Sequence, residues 1–259
     1  MNHGSWDFEP SDQTFSVELS AIQYALDFDG DEDLDYIAIP FTGRHLLFRN
    51  NGAGEFLEAI ELDAASSYGT ALGDFNGDGL MDLACASRHS PNVFDLWQQT
   101  EALTFERRAI EGFTHAPALA KECDVNHDGH LDLFIGGGLD GSGYHILLGD
   151  GHGNFSEVKQ ELPALTSIEV TCGDLDLDGD LDLVIGNYGQ APNEILVNDG
   201  EGRFAHTQWL STTHAKPELS DLDGDGDLDI VEPDYVSSPQ GNGKSKIWLN
   251  QSRQRTNNR

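Results

Sequence analysis

The chain has 259 residues and a formal net charge of −32, from 46 acidic and 14 basic side chains. A surface this acidic repels phosphate backbones and anionic headgroups, which excludes nucleic acid as the main partner. No run approaches the roughly 18 consecutive apolar residues that a membrane-spanning helix needs, so no membrane insertion is expected.

The start, MNHGSWDFEP, lacks a basic region followed by an apolar run and is not a signal peptide. The protein therefore stays inside the cell, or the sequence starts after a removed signal. The segment QTFSVEL, with Phe15, comes next, and then the first of five related nonapeptides, DFDGDEDLD at Asp27–Asp35. The others are DFNGDGLMD at Asp74–Asp82, DVNHDGHLD at Asp124–Asp132, DLDLDGDLD at Asp174–Asp182 and DLDGDGDLD at Asp221–Asp229. Their first aspartates stand 47, 50, 50 and 47 residues apart. Regular spacing of this size marks a repeat architecture with one supersecondary unit per repeat, and hence one domain without a linker.

Each nonapeptide crowds acidic or amide side chains at positions one, three, five and nine. Two unit charges about 5 Å apart at an effective dielectric near 20 repel by roughly 3 kcal/mol, so a cation is expected among them. Hard oxygen ligands on alternate residues, with glycine at position six for the turn, point to calcium. Magnesium dehydrates reluctantly and suits such a flexible cage less well.

After each nonapeptide comes a short apolar run: LDYIAIP, MDLACAS, LDLFIGG, LDLVIGN and LDIVEP. These runs are brief, partly β-branched and ended by Gly, Pro, Asn or Ser, which reads as buried strands. A second strand follows in HLLFRN, FDLWQQ, YHILLGD, NEILVND and SKIWLN. Glycine turns then lead to strands opening at Phe56, Phe155 and Phe204, with a further such strand at Phe105. A last strand enters the next nonapeptide, as in SYGTALGD. An EF-hand is rejected, because no helical periodicity flanks the loops and position twelve is Glu only at Glu232. Cys85, Cys123 and Cys172 are too few for a disulfide framework and are expected as small buried strand residues.

Four strands per unit of about 48 residues match a propeller blade. The expectation is an all-β chain, a five-bladed β-propeller over residues 1–250, with calcium loops between the first and second strand of each blade. The fifth unit runs out after two strands, near Asn250. Residues 13–20, led by Phe15, are expected to supply its last strand and close the ring. Residues 251–259 read as a flexible tail.

The five nonapeptides, the LDLxIG-like strands behind them and the glycine turns before phenylalanine resemble the FG-GAP/VCBS repeat family, the calcium-loop propeller repeats also found in the integrin α-subunit head. The resemblance covers roughly Phe15 to Asn250. It implies side-chain ligands at positions one, three, five and nine and a carbonyl at seven. Carried over, the first loop supplies Asp27, Asp29, Asp31 and Asp35 with the Asp33 carbonyl, and the second Asp74, Asn76, Asp78 and Asp82 with that of Leu80. The third supplies Asp124, Asn126, Asp128 and Asp132 with His130; the fourth Asp174, Asp176, Asp178 and Asp182 with Asp180; the fifth Asp221, Asp223, Asp225 and Asp229 with Asp227. The chain departs from the family in having five units where seven blades are common, and in carrying Glu32 where loop one should have glycine.

Five equivalent loops are structural rather than catalytic. The family implies ligand binding on the opposite face, where His45, His89, Tyr68, Asp234 and Tyr235 are the candidate contacts. Aromatic and hydrogen-bonding groups around a shallow funnel suit a lectin-like, extracellular module for a glycan or protein ligand, either secreted or at the cell surface or periplasm. A polysaccharide lyase is the second reading; it needs an acid–base pair and cationic groups, for which His115, His214, Tyr188, Arg44 and Arg88 are the candidates. A structural or assembly domain of a larger surface protein is the third.

Overall fold

The apolar runs behind the acidic loops become strands whose two faces serve two different cores, which is why they read as unbroken hydrophobic stretches rather than alternating ones. In the computed structural model the described residues are 13–15, 20–40, 43–57, 59–63, 69–86, 94–110, 119–136, 143–163, 165–187, 191–213, 216–233 and 245–252. Among these residues the chain forms five antiparallel sheets.

The first sheet holds β1 (Ser20–Leu26), β2 (Asp35–Pro40), β3 (His45–Phe48) and β4 (Ile60–Leu62), and the second holds β5 (Thr70–Gly73), β6 (Asp82–Ala86), β7 (Phe94–Glu101) and β8 (Thr104–Ile110). The third holds β9 (Leu119–Cys123), β10 (Asp132–Gly136), β11 (His145–Gly149) and β12 (Phe155–Glu157). The fourth holds β13 (Ser167–Gly173), β14 (Asp182–Asn187), β15 (Pro192–Asn198) and β16 (Phe204–Thr213). The fifth has three strands, β17 (Glu218–Ser220), β18 (Asp229–Glu232) and β19 (Lys246–Trp248). Strands follow one another in sequence order within every sheet, and each acidic loop joins the first strand to the second. In the first repeat, Phe56 forms only an isolated bridge with Asn50, and the fourth strand starts later, at Ile60.

The first strands β5, β9, β13 and β17 touch in succession, so the sheets pack face to face around a common side. One hydrophobic cluster lies at each junction: Phe28, Ile37 and Leu83 between sheets one and two, Phe75, Leu96 and Leu133 between two and three, Val125, Phe134 and Leu183 between three and four, and Leu175, Val184 and Ile230 between four and five. Within β10, Leu133 and Ile135 face one junction while Phe134 faces the next. This architecture is consistent with a β-propeller, and five blades fit it.

Two placements differ from expectation. Cys123 and Cys172 form a disulfide across 49 residues, tying first strand β9 to first strand β13, and only Cys85 is free and buried. The spacing of three cysteines gave no hint of this, because the pairing depends on which first strands become neighbours. Phe15 does not reach the fifth sheet: its ring lies 4.7 Å from that of Phe48 and 5.5 Å from that of Phe56, both in the first repeat.

Candidate metal loops and the opposite face

Position nine anchors every loop. Asp35, Asp82, Asp132, Asp182 and Asp229 open the second strand of their sheets and are fully or almost fully buried. One carboxylate oxygen of each accepts the position-two N–H, from Phe28, Phe75, Val125, Leu175 and Leu222, at 2.8–3.1 Å. The other oxygen accepts an N–H from the end of the third strand, from Asn50, Gln99, Gly149, Asn198 and Asn250, at 2.8–3.0 Å. A single carboxylate thus fixes both ends of the loop against the sheet. Burial pushes Asp82, Asp132 and Asp182 up to about 6, against the downward pull of those N–H groups.

Position one organises the turn: Asp27 accepts N–H groups from Gly30 and Glu32, Asp74 from Gly77 and Gly79, and Asp221 from Gly224 and Gly226. The position-five aspartates accept the N–H of position seven at 2.8–3.1 Å. The backbone turns through the left-handed region twice per loop. Position six does so in Glu32, Gly79, Gly129, Gly179 and Gly226, and position four in Gly30, Gly77, His127, Leu177 and Gly224. The second requirement was not recognised in the sequence, because His127 and Leu177 hide it.

The donors fit a hard divalent cation. Oxygen atoms of Asp27, Asp29 and Asp35 lie within 4.8 Å of one another, as do those of Asp174, Asp176 and Asp182, and of Asp221, Asp223 and Asp225. Loops two and three carry Asn76 and Asn126 at position three, each donating its amide to the position-five aspartate at 2.9 Å. Asp29 and Asp124 each keep one buried carboxylate oxygen without a hydrogen-bond partner, an arrangement a cation would satisfy. Burial, with Asp35 beside it, raises Asp29, and burial with Asp178 beside it raises Asp176.

Loop one carries a competitor. The Arg49 guanidinium lies 2.5 Å from Asp29 Oδ2 and 3.2 Å from Asp31 Oδ2, on two of the expected ligands. The residues preceding the anchor N–H in the other loops are Gln98, Leu148, Val197 and Leu249, so no other loop carries a cationic side chain there.

The loops also lock the sheets together. Gln99, Asn198 and Asn250 each donate a side-chain amide at 2.7 Å to the position-two carbonyl of the preceding repeat, on Phe28, Val125 and Leu175. In the third repeat the equivalent residue is Gly149, and the Phe75 carbonyl accepts the Gly153 N–H at 2.9 Å instead.

At the opposite end, Arg44 is exposed and paired with Glu61 at 3.1 Å and Asp63 at 3.3 Å. His45 is wholly buried, with Nδ1 3.9 Å from Cys85 Sγ, and so is not a surface contact. His89, Tyr68, Asp234, Tyr235, His115, His214, Tyr188 and Arg88 lie outside the described residues. What the structure does assemble here is a buried polar network. Tyr144 Oη lies 2.8 Å from Asn187 Oδ1 and 2.7 Å from Glu194 Oε1, Asn193 Nδ2 donates to Glu232 Oε1 at 2.7 Å, and Trp248 Nε1 donates to Glu232 Oε2 at 2.6 Å. It joins sheets three, four and five.

The FG-GAP-like repeat matches residues 27–107, 124–185 and 174–232, most of the chain. Integrin alpha-PS5 of Drosophila melanogaster is 29% identical over 142 residues, 48% of this chain and 14% of that protein. The chain therefore spans a small part of that relative's length. Two solved structures of BBS1N in complex with ARL6DN, soaked with lead and with mercury, share the fold at TM-scores of 0.55 and 0.54 and 12% identity. They cover 90% and 89% of this chain, and the matches span 69% and 66% of those chains.

Proposed function

Because the chain belongs to the FG-GAP-like repeat family, we propose that it is a calcium-stabilised propeller acting as a binding module, with a protein or glycan ligand engaging the loops opposite the ion loops. The observation that supports this most is the fivefold repetition of one anchored acidic turn at one end of every sheet. Five turns anchored in the same way rigidify; they leave recognition to the other end, where the loops differ in sequence from repeat to repeat.

The calcium ions would be held by the aspartates and asparagines of positions one, three, five and nine. When bound, they supply charge neutralisation that lets crowded carboxylates stay ionised. The chain's own part is to hold each turn closed through the buried position-nine aspartate. The likeness to an integrin α-chain favours a protein ligand and a place outside the cell. The disulfide between Cys123 and Cys172 supports the same compartment, since such bonds persist in oxidising surroundings.

Of the lyase candidates only Arg44 lies among the described residues, and it is engaged by two carboxylates, so nothing described favours that reading. A glycan array and a cell-surface protein panel, each probed in calcium and in chelator, test the proposal. Calcium-dependent capture without turnover is the expected result. Release of an unsaturated uronate would instead favour the lyase, and silence on both would favour an assembly domain.

A further inference from the structure

The side chain that ends the third strand does not serve every junction alike. Asn198 gives one amide group to two carbonyls, that of Val125 at 2.7 Å and that of Leu181 at 3.1 Å. Val125 is position two of loop three, and Leu181 is position eight of loop four. Asn250 repeats the arrangement one repeat later, reaching Leu175 of loop four at 2.7 Å and Leu228 of loop five at 3.1 Å. Each amide therefore spans two acidic turns. Among the described bonds, the Gln99 amide serves the Phe28 carbonyl of loop one alone, and Gly149 has no side chain to give.

The same two asparagines are anchored through their main chain. Asn198 donates its N–H to Asp182 at 3.0 Å, and Asn250 donates its N–H to Asp229 at 2.8 Å. At the far end of each amide, Val125 donates its N–H to Asp132 and Leu175 donates its N–H to Asp182. A continuous series of hydrogen bonds thus runs from Asp132 through Asn198 and Asp182 to Asn250 and Asp229. It touches the buried position-nine carboxylate of loops three, four and five in turn. It stops short of loop two, where Gly149 breaks it. Loops three and four are tied twice more: by the disulfide, whose Cys123 adjoins Asp124 and whose Cys172 lies two residues before Asp174, and by His127 Nε2, 3.4 Å from Asp180 Oδ1.

We infer that Asn198 and Asn250 are positioning residues through which loops three, four and five take up calcium cooperatively, while loop two fills independently of them. The inference rests on the calcium reading proposed above. An ion that orders loop five fixes the Leu228 carbonyl, and with it the Asn250 amide. That amide in turn holds the Leu175 carbonyl, which lies between the first and third positions of loop four. Part of the ordering cost of loop four is then already met, so its own ion binds more tightly. By linkage, an ion in loop four helps loop five by the same factor.

The test is a calcium titration of the full chain followed by nitrogen-edited NMR. One position-six glycine reports each loop: Gly79, Gly129, Gly179 and Gly226 for loops two to five. Gly129, Gly179 and Gly226 are expected to shift together, along one curve steeper than a single-site isotherm. Gly79 is expected to follow a separate, simple curve. Asp223→Ala then removes an exposed member of loop five. It is expected to weaken binding read at Gly179 about fivefold and to leave Gly79 unmoved. In an Asn250→Leu background, Asp223→Ala is expected to leave Gly179 unchanged, which an asparagine with a purely structural role would not predict. Unlinked simple curves at the four glycines, or Gly79 moving with the other three, would overturn the inference. So would an effect of Asp223→Ala on Gly179 that survives Asn250→Leu. Each of these results leaves the calcium reading standing, whereas four glycines that ignore calcium would overturn both.

Discussion

Glu32 and Leu177 hold backbone angles that suit glycine, with φ of 71° and 67°. A left-handed conformation costs a residue with a Cβ roughly 1–2 kcal/mol, and both residues stand at exposed turns. Glu32→Gly and Leu177→Gly are each expected to stabilise the calcium-loaded protein by about 1 kcal/mol, read as a higher urea midpoint with an unchanged slope. Arg49 acts differently at loop one. Its half-exposed guanidinium sits on two of the expected ligands and so opposes binding of a cation there. Arg49→Gln should therefore tighten one class of calcium sites about tenfold in a calorimetric titration and leave the others as they were. Unchanged affinity at every site would show that Arg49 swings clear when the ion arrives.

Between elements, the bonds that matter run from one repeat to the next. Asn198 is buried, and its amide serves the carbonyls of both Val125 and Leu181. Asn198→Leu keeps the volume and strands both carbonyls, which should cost about 2 kcal/mol in a denaturant melt. The Cys123–Cys172 bond closes 49 residues, so replacing both cysteines by serine should cost about 4 kcal/mol on the chain-entropy account. Legibility divides along the same line. The nonapeptides, the strands behind them and the loop between first and second strands were readable because each lies within one repeat, where spacing alone fixes the partners. The Asn198 amide, the disulfide and Arg49 over Asp29 were not, because each depends on where distant strands are brought side by side. His45 is an intermediate case: its place at the head of β3 was legible, but its burial against the second sheet was not.

For the molecule as a whole, the proposed ions would compete with protons for the same buried carboxylates. Asp82, Asp132 and Asp182 sit near 6 in the ion-free fold, against 3.8 for an ordinary aspartate. The folded state thus keeps protons that the unfolded chain releases between about pH 4 and 6. In chelator, stability should accordingly fall as pH rises through that window, by as much as about 3 kcal/mol for each aspartate, and stay low above it. On the proposed function, calcium would reverse the slope. It would bind the ionised carboxylates, so its contribution would be absent near pH 4 and grow as the protons leave, reaching about 2.7 kcal/mol per site once free calcium is 100-fold above the dissociation constant. Urea melts across this range should give two curves that converge at acid pH and diverge towards neutrality, with the ion-free protein wholly or partly unfolded at the neutral end. Parallel curves would mean that the aspartates of the five turns hold the fold without any cation, and the calcium reading of those turns would have to be given up.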